Sequence, residues 1–96
     1  MNFEFDPAKS PANKAKHGID FEAAQEMWQD ADAIGGGARS LEEARWMLIA
    51  KREGKLWTAI CTWRGENVRI ISVRRARAEE KAVYEQIKDE NDGEES

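Results

Sequence analysis

The 96 residues suffice for one domain with a modest core and exclude a second. A single cysteine, Cys61, excludes an internal disulfide, and no long apolar run or leader pattern indicates a membrane span or export. The net charge of −4 comes mainly from residues 79–96, which carry −6, whereas residues 64–77 carry +4. We therefore expect a cytoplasmic domain at 1–88, an acidic, disordered tail at 89–96 and no membrane partner.

The amino-terminal segment predicts a short strand followed by a helix. Alternating phenylalanines indicate a strand at residues 2–5, and Asp6-Pro7 is typical of a turn or a helix start. Ser10 as N-cap, with a proline behind it, predicts a first helix at 10–17. Gly18 is then expected to end that helix in the left-handed conformation.

A second helix is expected to begin directly after the first. Asp20 is a favourable N-cap, and Phe21, Ala24 and Trp28 recur at the spacing of one apolar helical stripe. Residues 30–37 lose this periodicity and end in three glycines. We interpret them as a weak edge strand that runs into a loop.

The remainder of the chain predicts a meander and a final helix. The segment Ser40–Glu43 has capping-box form and predicts one helical turn. Three strand-like runs at 45–52, 56–63 and 67–75 are joined by short turns, which favours antiparallel pairing. A last helix is expected at 78–88. The predicted fold is α+β, a small antiparallel sheet of four or five strands packed with three helices.

The arginine-rich run at the end of the third strand is the strongest functional signal. Strict alternation places Arg74 on the same face as Val68 and Ile70, and Arg75 on the other face. Guanidinium groups match the geometry of phosphate, so several together form a site for an anionic polymer. Arg64 lies near either end of this strand, depending on the register of the hairpin. Composition alone equally supports solvated surface arginines paired with glutamates.

Two further side chains are candidates for proton transfer. His17 is the only histidine, and histidine is the side chain that titrates nearest neutral pH. Its position before Gly18 is also explained by a favourable interaction with the helix dipole. Tyr84 shares a helix face with Glu80, but taken alone it is better explained as a packed aromatic residue with a solvated hydroxyl.

Other chemistries find little support in the sequence. The three glycines at 35–37 lack the strand, spacing and lysine of a phosphate loop. One cysteine and one histidine cannot form a structural zinc site, so no metal site is expected. Cys61 lies within an apolar strand, where an inert packed thiol is expected.

Four short segments stand in a recognisable order. They are Phe3–Lys9, Asn13 with Lys16–Gly18, Phe21–Ala24, and Arg69–Ala76 followed by Glu80 and Tyr84. In this order they resemble the BrnT toxins of bacterial type II toxin–antitoxin systems. The resemblance implies a RelE-like fold and an endoribonuclease that arrests growth without a metal or an organic cofactor. It also implies a BrnA-like ribbon-helix-helix antitoxin, with operator DNA bound only through the toxin–antitoxin complex.

Cleavage of RNA without a metal requires a base for the ribose 2′-hydroxyl, an acid for the leaving oxygen and positive charge over the phosphate. We expect three arginines, Arg64, Arg74 and Arg75, to converge on one patch that neutralises the phosphate. We expect His17 or Tyr84 to transfer the proton. The expected substrate-binding residues are Lys16, Arg69 and Arg77.

The sequence departs from the family pattern at Arg77 and at the three glycines 35–37, which replace a more polar, acidic loop. Two other functions also fit the residues. Arg77 stands where the family usually has a threonine or serine cap, so we expect the last helix to lose about 1 kcal/mol there. The alternatives to a nuclease are a nucleic-acid-binding repressor without catalysis and an interaction module. In the latter the arginines serve only an acidic partner, such as an antitoxin segment.

Overall fold

The structure is a computed structural model that describes residues 1–37 and 44–94, with side chains at 1–36 and 44–90. Five strands are present: β1 (Phe3–Glu4), β2 (Ile34–Gly37), β3 (Arg45–Arg52), β4 (Lys55–Arg64) and β5 (Asn67–Arg75). Three α-helices accompany them: α1 (Lys9–His17), α2 (Phe21–Ala24) and α3 (Ala78–Glu94). The helical turn predicted at 40–43 lies outside the described residues.

The strands form one mixed sheet in the order β1-β5-β4-β3-β2. The predicted α+β class is confirmed, and β2 to β5 pair antiparallel as expected. β1 instead pairs parallel to β5, through Phe3 with Val68 and Glu4 with Arg69. Such pairing requires a crossover, and the long excursion from α1 to β4 supplies it. The prediction of a purely antiparallel sheet is therefore wrong at this one edge strand.

A bulge in β5 decides which face each arginine occupies. Ile60 pairs with Ser72 but Cys61 pairs with Ile70, so Ile71 is an extra residue in β5. An extra residue reverses the inward and outward alternation beyond it. Val73 therefore joins Val68 in the core, although strict alternation places them on opposite faces. By the same shift, Arg75 and not Arg74 ends up on the face of Val68.

The larger core lies between the sheet and the two amino-terminal helices. Ile19 precedes α2, Phe21 begins it and Met27 follows it, and all three are almost fully buried there. They pack against strand residues such as Ala59 and Ile70. The predicted helical stripe is confirmed at Phe21, although the α-helix stops at Ala24 and continues as a 3₁₀ helix at Gln25–Gln29. We call the side of the sheet that carries this core the α1 face.

The opposite side, which we call the α3 face, is covered in part by α3. A smaller cluster of Ile49, Leu56, Ala76 and Tyr84 is buried there. α3 extends to Glu94, six residues beyond the predicted end at Lys88. None of the helices within the described ranges is long and apolar enough to cross a membrane.

The sequence signals at the end of α1 and the start of α2 are confirmed, but the one at the start of α1 is not. Gly18 ends α1 with φ 86°, and the side chain of Asp20 accepts a hydrogen bond from the Ala23 amide at 2.7 Å. Ser10 is not the N-cap of α1, because that helix already begins at Lys9. The buried Ser10 hydroxyl accepts from the Phe21 amide at 2.9 Å instead, and so joins α1 to α2.

Candidate functional site

A cleft of about 310 Å³ opens on the α1 face where β5 ends and β4 begins. Its wall is formed by the last turn of α1, the turn between β3 and β4, and the end of β5. The residues that line it are His17, Gly18, Arg52, Glu53, Lys55, Trp57 and Arg75. Two of the sequence candidates, His17 and Arg75, therefore share one cleft. They are far apart in the chain, and only the fold brings them together.

Arg75 is held in place by aromatic and backbone contacts. Its guanidinium carbon lies 5.4 Å from the centroid of the Trp57 ring, a cation–π geometry. Its Nε donates to the Leu56 carbonyl at 3.3 Å. Within the described chain Arg75 forms no ion pair, so its charge is available to a ligand. The two contacts orient the group without neutralising it.

The position of His17 depends on Asn13, one turn earlier in α1. The buried Asn13 amide donates to the carbonyls of Val73 at 3.0 Å and Ile19 at 2.7 Å, and its oxygen accepts from the Val73 amide at 3.2 Å. β1 pairs only with the beginning of β5, so Asn13 satisfies backbone groups farther along the same edge. These bonds fix α1 against β5 and thereby place His17 beside the end of that strand.

The turn between β3 and β4 supplies the remaining charged groups of the cleft. Lys55 is exposed and has no ion-pair partner among the described residues. Arg52 is committed to other contacts, because its Nε donates to Glu26 at 3.0 Å and its side chain is only 17% exposed. Glu53 is the one carboxylate in the cleft wall, and it lies 3.4 Å from Arg52. The available charge in the cleft is thus that of Lys55 and Arg75, with an imidazole and a carboxylate beside them.

Arg74 lies on the α3 face, in a partly buried ion pair with Glu80. Its two terminal nitrogens donate to the two carboxylate oxygens at 2.7 and 2.9 Å. Thr58 and the Arg77 amide also donate to Glu80, at 3.0 and 2.7 Å. The hydrogen bonds from Arg74 are the main reason that the pKa of Glu80 falls from 4.5 to about 2, and the same pair raises the pKa of Arg74. Arg74 therefore fastens α3 to the sheet and does not face the cleft.

Arg64 lies at the opposite end of the meander from Arg75. It pairs with Asn67 at the start of β5, whereas Arg75 is the last residue of that strand. Nine residues of extended chain span roughly 25 Å. Arg69 is also remote from the cleft and donates to Glu4 at 3.1 Å, which lowers the pKa of that carboxyl. The expected convergence of Arg64, Arg74 and Arg75 on one patch is therefore wrong.

Tyr84 lies on the α3 face and is 2% exposed. Its hydroxyl donates to Asp30 at 2.8 Å, and burial, followed by this hydrogen bond, raises its pKa. Burial also opposes ionisation of Asp30, but hydrogen bonds from the Lys51 and Asp32 amides outweigh it and lower the pKa of Asp30. Tyr84 thus joins α3 to the loop before β2 and is not brought to the cleft.

The remaining candidates lie outside the cleft wall. Lys16 is exposed on α1 beside His17, and Arg77 is exposed at the start of α3. Burial raises the pKa of Cys61 to about 12, in agreement with the predicted inert thiol. The part of the chain that the structure describes contains no cluster of three or more metal-ligating side chains.

A protein-family model described as the ribonuclease toxin, BrnT, of type II toxin–antitoxin system matches residues 5–80. The chain belongs to the BrnT family. No curated protein sequence matches it. The matched range contains every residue of the cleft wall. The family consists of ribonuclease toxins of type II toxin–antitoxin systems, which implies RNA as the substrate and an antitoxin as a partner. Tyr84 and the carboxy-terminal part of α3 lie beyond the match.

Several cleft residues of this BrnT family member escaped the sequence analysis. Arg52, Glu53, Lys55 and Trp57 belong to the β3–β4 hairpin, whose sequence pattern predicts strands and a turn but no site. The sequence does contain a signal for an anion-binding site there, because three basic residues, at 51, 52 and 55, flank a two-residue turn. Clustered bases at a strand end are typical of anion sites as well as of solvated turns. Asn13 belongs to the segments that carry the family resemblance, but its hydrogen bonds to β5 can be seen only in the fold.

Proposed function

We propose that the chain is the toxin of a type II toxin–antitoxin system and that it cleaves RNA in the cleft between α1 and the β3–β4 turn. The observation that supports this most strongly is the grouping of Arg75, Lys55 and His17 in one cleft. Neither of the two cations has an acidic partner among the described residues. A phosphodiester supplies the charge that such a group lacks.

Arg75 and Lys55 hold the scissile phosphate in this proposal. Arg75 offers two terminal nitrogens, because its Nε is already bonded to Leu56. A planar guanidinium binds two phosphate oxygens at once, and an ammonium group adds a mobile point charge. Since the Trp57 ring orients Arg75 before the substrate arrives, little reorganisation is needed as negative charge builds on the phosphorus oxygens.

His17 transfers a proton at this phosphate. Its imidazole lies in the cleft wall with Arg75, and α1 is fixed there by the Asn13 bonds. A general acid or base of this kind contributes about 10²- to 10⁴-fold to a rate. The reaction is proposed to be metal-independent, because the cations that surround the phosphate position repel a divalent ion and leave one carboxylate to ligate it.

The other predicted site residues take different roles in this account. Arg74 and Tyr84 stabilise the attachment of α3. Lys16 and Arg77, both exposed, are proposed to contact RNA on either side of the cleft. Arg64 ends β4 and Arg69 lies near the start of β5, so both are too far from the cleft to reach the scissile phosphate.

The biological setting follows from the family. We propose that RNA cleavage arrests growth in the cytoplasm and that a BrnA-like ribbon-helix-helix antitoxin neutralises the toxin. Operator DNA is then bound only by the toxin–antitoxin complex, through the antitoxin.

Two lysines on adjacent strands provide a test with a matched control. Lys55 lines the cleft, whereas Lys51 is exposed outside it. Wild type, Lys55→Ala and Lys51→Ala are induced separately in a bacterial host, and growth and RNA integrity are followed. We expect arrest and RNA breakage with wild type and Lys51→Ala, and breakage slower by about 10-fold or more with Lys55→Ala. A wild-type protein that accumulates in folded form but leaves RNA intact contradicts the proposal, and RNA binding without breakage indicates a non-catalytic module.

A further inference from the structure

The turn between β3 and β4 has an unusual residue at its first position. Arg52 pairs with Lys55, so the loop consists of Glu53 and Gly54 alone. Both have positive φ, at 50° and 77°, the combination used by type I′ hairpin turns. That first position favours asparagine, aspartate or glycine, since a longer side chain is disfavoured at positive φ. Glu53 is the only non-glycine residue with positive φ in the described part of the chain.

Contacts within the fold do not compensate for this conformation. The Glu53 side chain is 72% exposed, and its one ionic contact is with Arg52 at 3.4 Å. Exposed pairs of this length contribute little to stability. The turn requires positive φ at its first position but does not require glutamate there, and non-glycine residues in the left-handed region cluster at functional sites. The choice of glutamate at this turn therefore calls for a functional reason.

The cleft supplies such a reason. Glu53 lines it together with His17 and Arg75, and it is the one carboxylate in the wall. Transesterification of RNA needs two proton-transfer groups, one at the 2′-hydroxyl and one at the leaving 5′-oxygen. The cations Arg75 and Lys55 are suited to hold the phosphate, and Tyr84 is buried elsewhere. Among the described residues that line the cleft, Glu53 and His17 remain as the pair.

We propose that Glu53 is the general base of the reaction and His17 its general acid, an inference that rests on the proposed function. The Glu53 carboxylate accepts the proton of the 2′-hydroxyl, and that oxygen forms a bond to phosphorus. The bond from phosphorus to the 5′-oxygen breaks, and the protonated His17 imidazole donates its proton to the departing oxygen. The products are a 2′,3′-cyclic phosphate and a 5′-hydroxyl end. Proton exchange with solvent then restores both side chains.

The turn geometry allows this role to be separated from folding. Glu53→Gln removes the proposed base, while the glutamine side chain keeps nearly the same size and shape as glutamate. Glu53→Asn also removes it but places the preferred residue in the turn, so we expect its melting temperature to rise by about 3 °C. Glu66→Gln, at the exposed turn between β4 and β5, removes a carboxylate outside the cleft and serves as the control. The measurements are thermal melting, RNA binding and cleavage of total bacterial RNA with ribosomes present.

We expect Glu53→Gln and Glu53→Asn to cleave about 100-fold more slowly than wild type while they still bind RNA, and Glu66→Gln to match wild type. A variant that is more stable yet inactive assigns Glu53 to catalysis. If wild type cleaves RNA and Glu53→Asn cleaves it within about twofold of that rate, the role of Glu53 is refuted and the proposed function stands. If folded wild type cleaves no RNA, the proposed function itself fails, and this inference fails with it.

Discussion

Arg74 and Arg75 are adjacent in β5, yet they lie in opposite environments. Arg74 is partly buried on the α3 face, where Glu80 neutralises it through two hydrogen bonds. Arg75 lies on the α1 face over the Trp57 ring, with no acidic partner in the described ranges. A cluster of arginines in the sequence therefore does not measure the positive charge that a site offers. The partners of each guanidinium decide whether it stabilises the fold or binds a ligand.

The largest effect is expected from removing the partner of Arg74, which tests whether this arginine stabilises the fold. Glu80→Ala leaves a mostly buried guanidinium unpaired and removes the acceptor of the Thr58 hydroxyl and the Arg77 amide. We expect a loss of about 3–5 kcal/mol of unfolding free energy, measured by urea denaturation. At a temperature where the variant is still folded, its RNA cleavage should stay near the wild-type rate. A large loss of cleavage there means that the α3 face belongs to the active site.

The same pair predicts how stability depends on pH. The pKa of Glu80 is lower in the folded protein, at about 2, than its ordinary value of 4.5. A carboxyl group with a lowered folded pKa stabilises the fold above its unfolded pKa, and that contribution is lost as the pH falls. Between about pH 4.5 and 2 we expect roughly 3 kcal/mol of stability to disappear. The unfolding free energy, measured by urea denaturation at several pH values, should depend less on pH in Glu80→Gln than in wild type. The same pH dependence in both proteins contradicts the assigned strength of the pair.

A smaller effect is expected at Tyr84, the proton-transfer candidate that lies on the α3 face. Tyr84→Phe keeps the buried ring but removes the hydrogen bond to Asp30, which retains its backbone donors. We expect the unfolding free energy to fall by about 1 kcal/mol, with RNA cleavage unchanged. Loss of cleavage in a folded Tyr84→Phe protein would show that the Tyr84 hydroxyl takes part in catalysis.

An effect of similar size but opposite sign is expected at Arg77, the residue before α3. Glu80 already accepts from the Arg77 amide, which is one half of a capping box. Arg77→Ser adds the other half, an acceptor for the exposed amides of the first turn, and should raise the unfolding free energy by about 1 kcal/mol. Arg77→Ala is the matched control and should show no such gain in thermal melting. Equal stability of the two variants contradicts this account of the cap.

Local signals predicted most of the fold. The bounds of β3 and β5 agree with the predicted strands, and the caps at Gly18 and Asp20 agree because each depends on residues close in sequence. The bulge at Ile71 could not be predicted, since both neighbours are apolar or small and fit either face. The cleft could not be predicted either, because it joins residues 17, 53 and 75 through the pairing of three distant segments. The family resemblance identified the activity, but it did not separate the two arginines.

The most direct measurement compares Arg75→Ala with Arg74→Ala, as initial rates of RNA cleavage per folded molecule. We expect Arg75→Ala to melt near the wild-type temperature and to cleave about 100-fold more slowly. We expect Arg74→Ala to melt at a lower temperature and to keep most of its cleavage rate where it is folded. The reverse result, full activity without Arg75 and none in a folded Arg74→Ala protein, would contradict the assignment of the cleft.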